Sequence, residues 1–300
     1  MRAGRTATLY NDAMRWSWLL VLAACTSSTS KPRDGGGEPD LSAVVVEDGG
    51  GGDAGAADLA ASAINDLAPP GDMTRGPCAP EMVHVLERDA GLDFCVDPYE
   101  GYVVELTDGG EKAHSPFLVV DGLALRAKTA RGVYPQGYIS QVEATQACQN
   151  AGKRLCSKTE FAEFCRGADP ANDYPYGGTV KKAGYCNEGK GSSVQRFFGS
   201  DPNAWTYADF NDPRDNEWDG GLAPTASYPH CVSPWGVYDC VGNLHEWGSD
   251  PADVNGHGRF RGGFYGDAEV NGHGCLYVTS AHELSYHDYS TGFRCCADVR

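Results

Sequence analysis

The sequence has no excess of basic residues. Its 24 lysines and arginines are outnumbered by 41 aspartates and glutamates, which gives a formal net charge of −17. Nucleic-acid binding needs a basic surface that neutralises phosphates, and an electrostatic membrane footprint needs clustered cations beside anionic lipid. The composition argues against both kinds of protein.

The sequence also lacks any CxxC pair, although it contains twelve cysteines. Cysteine-rich metal sites usually show such pairs in repeated form. Eleven of the cysteines follow residue 77, and so many in one folded region are typical of a protein from an oxidising compartment. The sequence therefore predicts an exported protein with a framework of disulfides.

The apolar run near the N-terminus, Trp16–Leu22, is too short to cross a bilayer, since a spanning helix needs about 20 residues. The run leads into Leu-Ala-Ala-Cys, which resembles a lipobox ending at Cys25. We expect a signal peptide over residues 1–24, with Met14 as an alternative start, and lipid attached to Cys25. An ordinary signal peptide with an incidental cysteine is the alternative. A lipid anchor makes the membrane a partner and places the protein in the cell envelope, and the non-acidic Thr26 favours the outer membrane.

Residues 25–77 combine the lipidated cysteine with a stretch rich in Gly, Ala, Asp, Ser and Pro. Within it, residues 33–75 hold nine acids and only two arginines. So little apolar surface cannot offset the entropy lost on ordering. We expect a disordered acidic tether here and one folded domain over residues 78–300. The sequence contains no internal repeat.

Local patterns predict several elements of the domain. Met82–Leu86 and Phe94–Val96 alternate as strands do. Ser140 and Glu143 form one capping box, Ser157 and Glu160 form another, and each predicts the start of a helix. In the first helix, Ala144, Ala147 and Cys148 are predicted to share the buried face, and Gly152 is predicted to end the helix. In the second helix, Phe161, Phe164 and Cys165 share the buried face, and Gly167 ends the helix. Residues 169–234 are expected to be loop-like.

Four segments in order resemble the sulfatase-modifying factor family, also called the formylglycine-generating enzyme family. They are Phe94–Glu100; Ala151–Leu155 with Thr159–Phe161 and Cys165–Gly167; Ser233–Asp239 with Val241–Asn243, Glu246 and Trp247; and Arg261–Gly263 with Gly292–Cys295. The resemblance covers about two hundred residues. It implies an α+β domain with a variant C-type-lectin-like fold, little regular secondary structure and several disulfides.

The resemblance also implies cysteine pairs. Carried over, they are Cys148–Cys295 and Cys165–Cys275. For the remaining cysteines we expect Cys78–Cys95, Cys186–Cys231 and Cys156–Cys296. Cys295 and Cys296 are neighbours, so their partners could be exchanged. Cys240 is left over and is expected to be a buried thiol that behaves as a small hydrophobic group.

The family's enzymes oxidise a cysteine of a client sulfatase with copper(I) held by two cysteines beyond the Arg-Gly-Gly block. Soft thiolates select copper(I). In this chain the serine after the glycines is Phe264, the first of the two cysteines is Asp267, and the second has no counterpart before Cys275. A carboxylate is a hard ligand, so we expect no catalytic residues and no formylglycine-generating activity. A replacement copper site at Cys275 with Cys240 or Cys295 would require a different disulfide framework.

A second catalytic alternative is a non-haem iron site, since histidines with a carboxylate suit iron. Four histidines and three acids lie close together in sequence: His257, His273, His282, His287, Asp267, Glu283 and Asp288. Their spacing lacks the regularity of a preformed metal site. The competing interpretation is that these histidines lie on surface loops and bind no metal. We therefore do not expect copper or iron as a cofactor.

Calcium is the cofactor that the resemblance implies. The family's calcium motif places carboxylate ligands at Asp239 and Glu246 and backbone oxygens at Gly242 and Leu244, and hard oxygens on a turn suit calcium. A second family site would fall near Asn187, Glu188, Glu217 and Asp219. The alternative is that these acids only solvate loops. His245 stands where the motif usually has tryptophan.

We therefore expect a calcium-stabilised binding or scaffolding module, with a sulfatase-modifying oxidoreductase as the alternative. Its ligand would be a protein, peptide or glycan, and not a nucleic acid. The aromatic residues Trp205, Tyr207, Phe210 and Trp218 could stack on a ligand, although packing of the loop against the core is the simpler interpretation.

Overall fold

The computed structural model describes residues 76–300. The predicted signal peptide, the lipidation site Cys25 and nearly all of the predicted tether lie outside the described residues. Within 76–300, no helix has the length and apolarity needed to cross a membrane.

The described residues form short strands and helices separated by long irregular segments. The strands are β1 (Val83–Glu87), β2 (Leu92–Val96), β3 (Tyr102–Thr107), β4 (Gly110–Ala113), β5 (Leu125–Lys128), β6 (Arg154–Leu155), β7 (His245–Trp247), β8 (Phe260–Arg261), β9 (Val278–Thr279), β10 (Thr291–Phe293) and β11 (Cys295–Asp298). The α-helices are α1 (Gln141–Asn150), α2 (Lys158–Arg166), α3 (Ser193–Phe198) and α4 (Arg214–Glu217).

Three small sheets organise the strands. Their strand orders are β1-β2-β11-β6, β10-β7-β8-β9 and β4-β3-β5. In the first sheet the two ends of the domain meet, because β2 pairs antiparallel with β11. In the second sheet β7 pairs parallel with β10 and antiparallel with β8. This α+β architecture, with little regular secondary structure, agrees with the predicted fold class.

The two predicted helices begin at the predicted capping boxes. Ser140 Oγ accepts from the Glu143 amide, and Glu143 Oε2 accepts from the Ser140 amide at 2.9 Å. Ser157 and Glu160 repeat the arrangement, with a return bond of 2.7 Å. The predicted apolar faces of both helices are buried. The predicted strands are also confirmed, as the antiparallel pair β1 and β2.

The segment 169–234 is more structured than predicted. It contains α3, α4 and a 3-10 turn at Asp209–Asn211. Ser192 caps α3 by accepting from the Gln195 amide, which is a signal of the same kind as the two capping boxes. The aromatic residues here pack inward: Phe210 is buried, Trp205 packs on it edge-on, and Trp218 packs against Tyr265. Packing against the core therefore accounts for these rings.

Five disulfides tie the irregular segments together. They join Cys78–Cys95, Cys148–Cys295, Cys156–Cys296, Cys165–Cys275 and Cys186–Cys231. These are the expected pairs, without exchange at the two neighbouring cysteines near the C-terminus. Cys240 is the free cysteine of the described residues and is buried.

One buried carboxyl in the core gives a pH prediction. Asp215 is fully buried, and burial followed by the nearby Asp212 charge raises the pKa of Asp215 to about 8. Its folded-state pKa therefore lies above the unfolded value, so the folded protein binds the extra proton between about pH 4 and pH 8. Stability should fall as pH rises through that window, by at most about 1.4 kcal/mol per pH unit from this one group.

The Asp215→Asn variant should remove that contribution, because asparagine copies the neutral acid. Urea unfolding at pH 5, 6.5 and 8 measures the slope. Asp253→Asn is the matched control, since the pKa of Asp253 is lowered by hydrogen bonds from the His257 and Asn255 amides. An unchanged slope in Asp215→Asn would show that Asp215 is ionised throughout.

Candidate functional site

Strand β7 carries side chains that belong to two different sites. Successive strand residues face opposite sides, and all three residues of β7 are buried. On one side lies a buried group that we call the carboxylate cluster, consisting of Glu100, Asp239, Glu246 and Arg294. On the other side lies a concave surface that we call the aromatic cleft, formed by His245, Phe260, Phe264, Asp267, Tyr277 and His282.

Arg294 holds the carboxylate cluster together. It is 1% exposed, and it donates to Glu246 from Nη2 to Oε1 at 2.7 Å and from Nε to Oε2 at 3.0 Å. Its other donors reach the carbonyls of Asp97 and Tyr238. Burial alone would lower the pKa of Arg294, but Glu246 and the other anions hold it above its usual value. The guanidinium is therefore charged, and each of its three nitrogens donates a hydrogen bond inside the protein.

The other two carboxyls of the cluster are crowded with negative charge. Glu100 accepts from the Leu244 amide at 3.0 Å and from Asn243 Nδ2 at 2.5 Å. Burial, then Asp239 and Glu246, raises the pKa of Glu100 well above its usual value. Burial also raises the pKa of Asp239 to about 6, and Glu246 adds to the effect. With all three carboxyls ionised, one guanidinium leaves two negative charges uncompensated.

Of the first predicted calcium set, Asp239 and Glu246 belong to this cluster, and Gly242 and Leu244 lie between them in the chain. As they are arranged within residues 76–300, the acids of the cluster do not form a group that could hold a metal ion. Gly242 has φ of +77°, and a Cβ there would lie 2.1 Å from the Asn187 carbonyl oxygen. Glycine is therefore required in this turn. The sequence reasoning did not assign Glu100 or Arg294 to the site.

The second predicted calcium set is dispersed. Asn187 is buried and donates to Asn243 Oδ1 at 2.8 Å, and Glu188 pairs with Lys181 at 2.9 Å. Glu217 and Asp219 are exposed. Within residues 76–300, these three acids do not form a group that could hold a metal ion.

The aromatic cleft lies along β8, β9 and the loop that follows the Arg-Gly-Gly block. Its cavity volume is about 80 Å³, and the cleft opens to solvent. The imidazole of His245 sits among its rings, with centroid distances of 4.5 Å to Phe260, 4.9 Å to Phe264 and 5.4 Å to Tyr277. His245 is 5% exposed, so it forms an inner wall of this cleft and not an outer surface.

The protonation of His245 follows from its hydrogen bonds. Asp288 accepts from Tyr286 at 2.6 Å and from the Ser290 hydroxyl at 2.7 Å. Because that hydroxyl hydrogen is used, Ser290 Oγ accepts from His245 Nδ1 at 3.2 Å. The other ring nitrogen, Nε2, then carries a lone pair. Nε2 is buried and has no hydrogen-bond partner among the described residues, and burial lowers the pKa of His245 to about 3.

Asp267 stands in the cleft where the family resemblance places the first copper cysteine. Its carboxylate accepts from the Glu269 and Val270 amides at 3.0 and 3.2 Å. The nearby Cys275 is paired with Cys165, and burial raises the pKa of the Cys240 thiol. At this position the described residues therefore supply a hard oxygen ligand and no pair of free thiols that could bind copper(I).

The histidines of the iron hypothesis are spread over separate contacts. His273 bonds to Glu269 at 2.6 Å and His257 pairs with Asp253 at 3.7 Å. His282 stacks on Tyr286, and His287 pairs with Asp121. With Asp267, Glu283 and Asp288 included, these side chains do not assemble into a metal-holding group in the described part of the chain.

Comparison with known proteins identifies the family of the folded region. Residues 117–299 match the model of the sulfatase-modifying factor enzyme 1-like domain, which is more than half of the chain. The chain belongs to this family. Membership supports describing the α+β fold as a variant of the C-type-lectin-like fold.

One curated relative is the formylglycine-generating enzyme of Mus musculus, which is 30% identical over 122 residues. That match covers 40% of this chain and 28% of the relative. The chain therefore spans well under half the length of this family enzyme.

Two solved structures are similar in outline. The chain matches PvdO from Pseudomonas aeruginosa at 14% identity and a TM-score of 0.40, covering 72% of this chain and 90% of that one. It matches the Major Tropism Determinant U1 variant at 14% identity and a TM-score of 0.37, covering 75% of this chain and 54% of that one.

Proposed function

We propose that this sulfatase-modifying factor-like domain is a binding or scaffolding module of the cell envelope that lacks formylglycine-generating activity. The observation that carries the proposal is Asp267, which occupies the position of a copper-binding cysteine. A carboxylate does not replace a thiolate as a ligand for copper(I). Within residues 76–300, Cys275 is tied up in a disulfide and Cys240 is a buried thiol, so the described residues place no free thiol beside Asp267 to compensate.

The proposed place of the module is the cell envelope, most simply the outer membrane, with a lipid on Cys25 as its anchor. The disulfides support an oxidising compartment. The acidic segment before residue 76 would separate the folded domain from the lipid surface. Its ligand would be recognised by the cleft and the surrounding loops.

The proposed stabilising ion is calcium at the carboxylate cluster. Asp239 and Glu246 would bind it through carboxylate oxygens, and Gly242 and Leu244 through backbone oxygens. The donor set supplies the hard oxygens that calcium prefers, and each carboxylate oxygen has two lone pairs. A cation would also offset the repulsion that, after burial, raises the pKa of Glu100 and of Asp239. Arg294 can therefore share Glu246 with a cation. Bound calcium would supply the missing positive charge and fix the turn.

Calcium should raise the free energy of unfolding by about 2–3 kcal/mol when its concentration is a hundredfold above the dissociation constant. The measurement is urea unfolding in calcium and in EGTA. Asp239→Asn should abolish most of the difference, and in EGTA it should be at least as stable as the wild type, because it removes one repelling charge. Asp239 has φ of +59°, which asparagine tolerates well. Equal wild-type stability in calcium and EGTA would refute the calcium proposal.

The catalytic part of the proposal is tested with a cysteine-containing sulfatase peptide, copper(I), oxygen and reductant. We expect no aldehyde product, while an active formylglycine-generating enzyme assayed in parallel converts the peptide. Conversion by this chain would refute the proposal. Metal analysis of the purified protein addresses the alternative oxidoreductase: stoichiometric iron or copper that is lost in His282→Ala would establish a redox site.

A further inference from the structure

The aromatic cleft has the charge and lining of a site for a cation. Asp267 and Asp288 contribute carboxylates to its wall. Within the described residues, no lysine or arginine lines it. The lining therefore contains acidic side chains with no lysine or arginine beside them.

The rest of the wall is aromatic. Phe260, Phe264 and Tyr277 surround His245, and the faces of such rings attract cations through their quadrupoles. The same wall offers hydrogen-bond acceptors. The lone pair of His245 Nε2 has no partner among residues 76–300, and Asp267 is a partly exposed acid whose carboxylate also accepts from two backbone amides. A ligand with positive charge and N–H donors complements all three features.

We propose that the aromatic cleft binds a primary organic ammonium group, carried either by a small arylalkylamine or by a lysine side chain. The ammonium group would lie beside Asp267 and donate toward Nε2 of His245, and its carbon chain or ring would pack on Phe260, Phe264 and Tyr277. This inference deepens the proposed binding function and rests on it.

The test is isothermal titration calorimetry of the full-length chain, in calcium and in a buffer free of primary amines. Benzylamine is compared with benzyl alcohol, which has the same ring and a donor but no charge. Benzylamine should bind at least about tenfold more tightly than the alcohol, because only the ammonium gains from Asp267 and the ring faces. Nα-acetyl-lysine methylamide is titrated in parallel as a model of a lysine side chain. Its affinity, compared with that of benzylamine, shows whether the cleft prefers an ammonium group carried by lysine or by a small arylalkylamine.

Variants locate the site. Asp267→Asn keeps an oxygen for the two amides that Asp267 now caps, and it should weaken benzylamine binding about fivefold or more. His245→Phe should also weaken it, since the acceptor is lost while the ring remains. Asp253→Asn, outside the cleft, should bind benzylamine as the wild type does. Thermal unfolding confirms that each variant is folded.

The proposal is overturned if the alcohol binds as tightly as the amine, if Asp267→Asn binds as the wild type does, or if neither amine binds. The comparison of benzylamine with benzyl alcohol uses only the wild-type chain. Its result therefore remains valid even if a variant fails to fold. Failure here would leave the calcium and sulfatase-peptide results unaffected, so the two proposals fail separately.

Discussion

Replacing Arg294 with methionine should destabilise the domain by about 3–5 kcal/mol, because removal of one partner leaves buried carboxylates without a counter-charge. Arg294 is the only basic member of the carboxylate cluster, and its side chain is fully buried. Methionine fills a similar volume but donates no hydrogen bond. Glu246 would lose the two hydrogen bonds that it accepts from the guanidinium. The backbone carbonyls of Asp97 and Tyr238 would each lose a hydrogen-bond donor. Urea unfolding in calcium at pH 7 measures the change.

Arg126→Met is the matched control. Arg126 pairs with Glu111 at 2.7 Å, but both side chains are more than a third exposed. Exposed pairs contribute about 0–1 kcal/mol, so this variant should be nearly neutral. The double variant Arg294→Met with Glu246→Gln should recover part of the loss, because it removes one of the buried charges. A loss below 1 kcal/mol for Arg294→Met would show that water or another cation compensates the cluster.

Local signals in the sequence were sufficient for the helices. A capping box needs only a serine and a glutamate three residues apart, and Ser140 and Ser157 both present it. The apolar residues that follow each box fall on one helical face, so the buried sides could also be predicted. The short helix α3 has a serine cap without the returning glutamate, and its weaker signal was missed.

The carboxylate cluster depends on contacts that no local pattern reveals. The hydrogen bond from Asn243 to Glu100 joins residues 143 positions apart, and the bond from Arg294 to Asp97 joins residues 197 apart. The family motif therefore indicated Asp239 and Glu246 but left the others unassigned. The signal that could have found them is the placement of charged residues within apolar segments: Glu100 follows a buried strand, and Arg294 lies between Phe293 and Cys295.

The aromatic cleft was missed for a different reason. His245 was recognised as a departure from the motif, but its meaning depends on rings from β8 and from the loop that contains Phe264 and Tyr277. Only the folded chain shows that the hydroxyl of Ser290 is committed to Asp288 and leaves the far nitrogen of His245 as an acceptor. A substitution that looks neutral in sequence thus changes the chemistry of the cleft.

The second large effect concerns the disulfides, which are nested and should therefore not act independently. Cys148–Cys295 spans 147 residues, and Cys156–Cys296 spans 140 beside it. Taken alone, a loop of that length is worth about 5 kcal/mol in the chain-entropy model. While the neighbouring bridge remains, however, breaking Cys148–Cys295 releases an effective loop of only about nine residues, worth about 2.6 kcal/mol.

We therefore expect Cys148→Ala with Cys295→Ala to cost about 3 kcal/mol, similar to removal of the short Cys78–Cys95 bridge, whose loop spans 17 residues. Removing Cys156–Cys296 as well should bring the total to about 6 kcal/mol, because the only remaining tie between these segments is then Cys165–Cys275. A loss of that size equals the whole free energy of unfolding of a domain at the low end of the usual range, about 5–15 kcal/mol. Alanine is preferred to serine, since these positions are buried and a hydroxyl would need a partner. Urea unfolding of the three variants without reductant gives the comparison, and a loss near 5 kcal/mol from the first pair alone would show that the bridges constrain the unfolded chain independently.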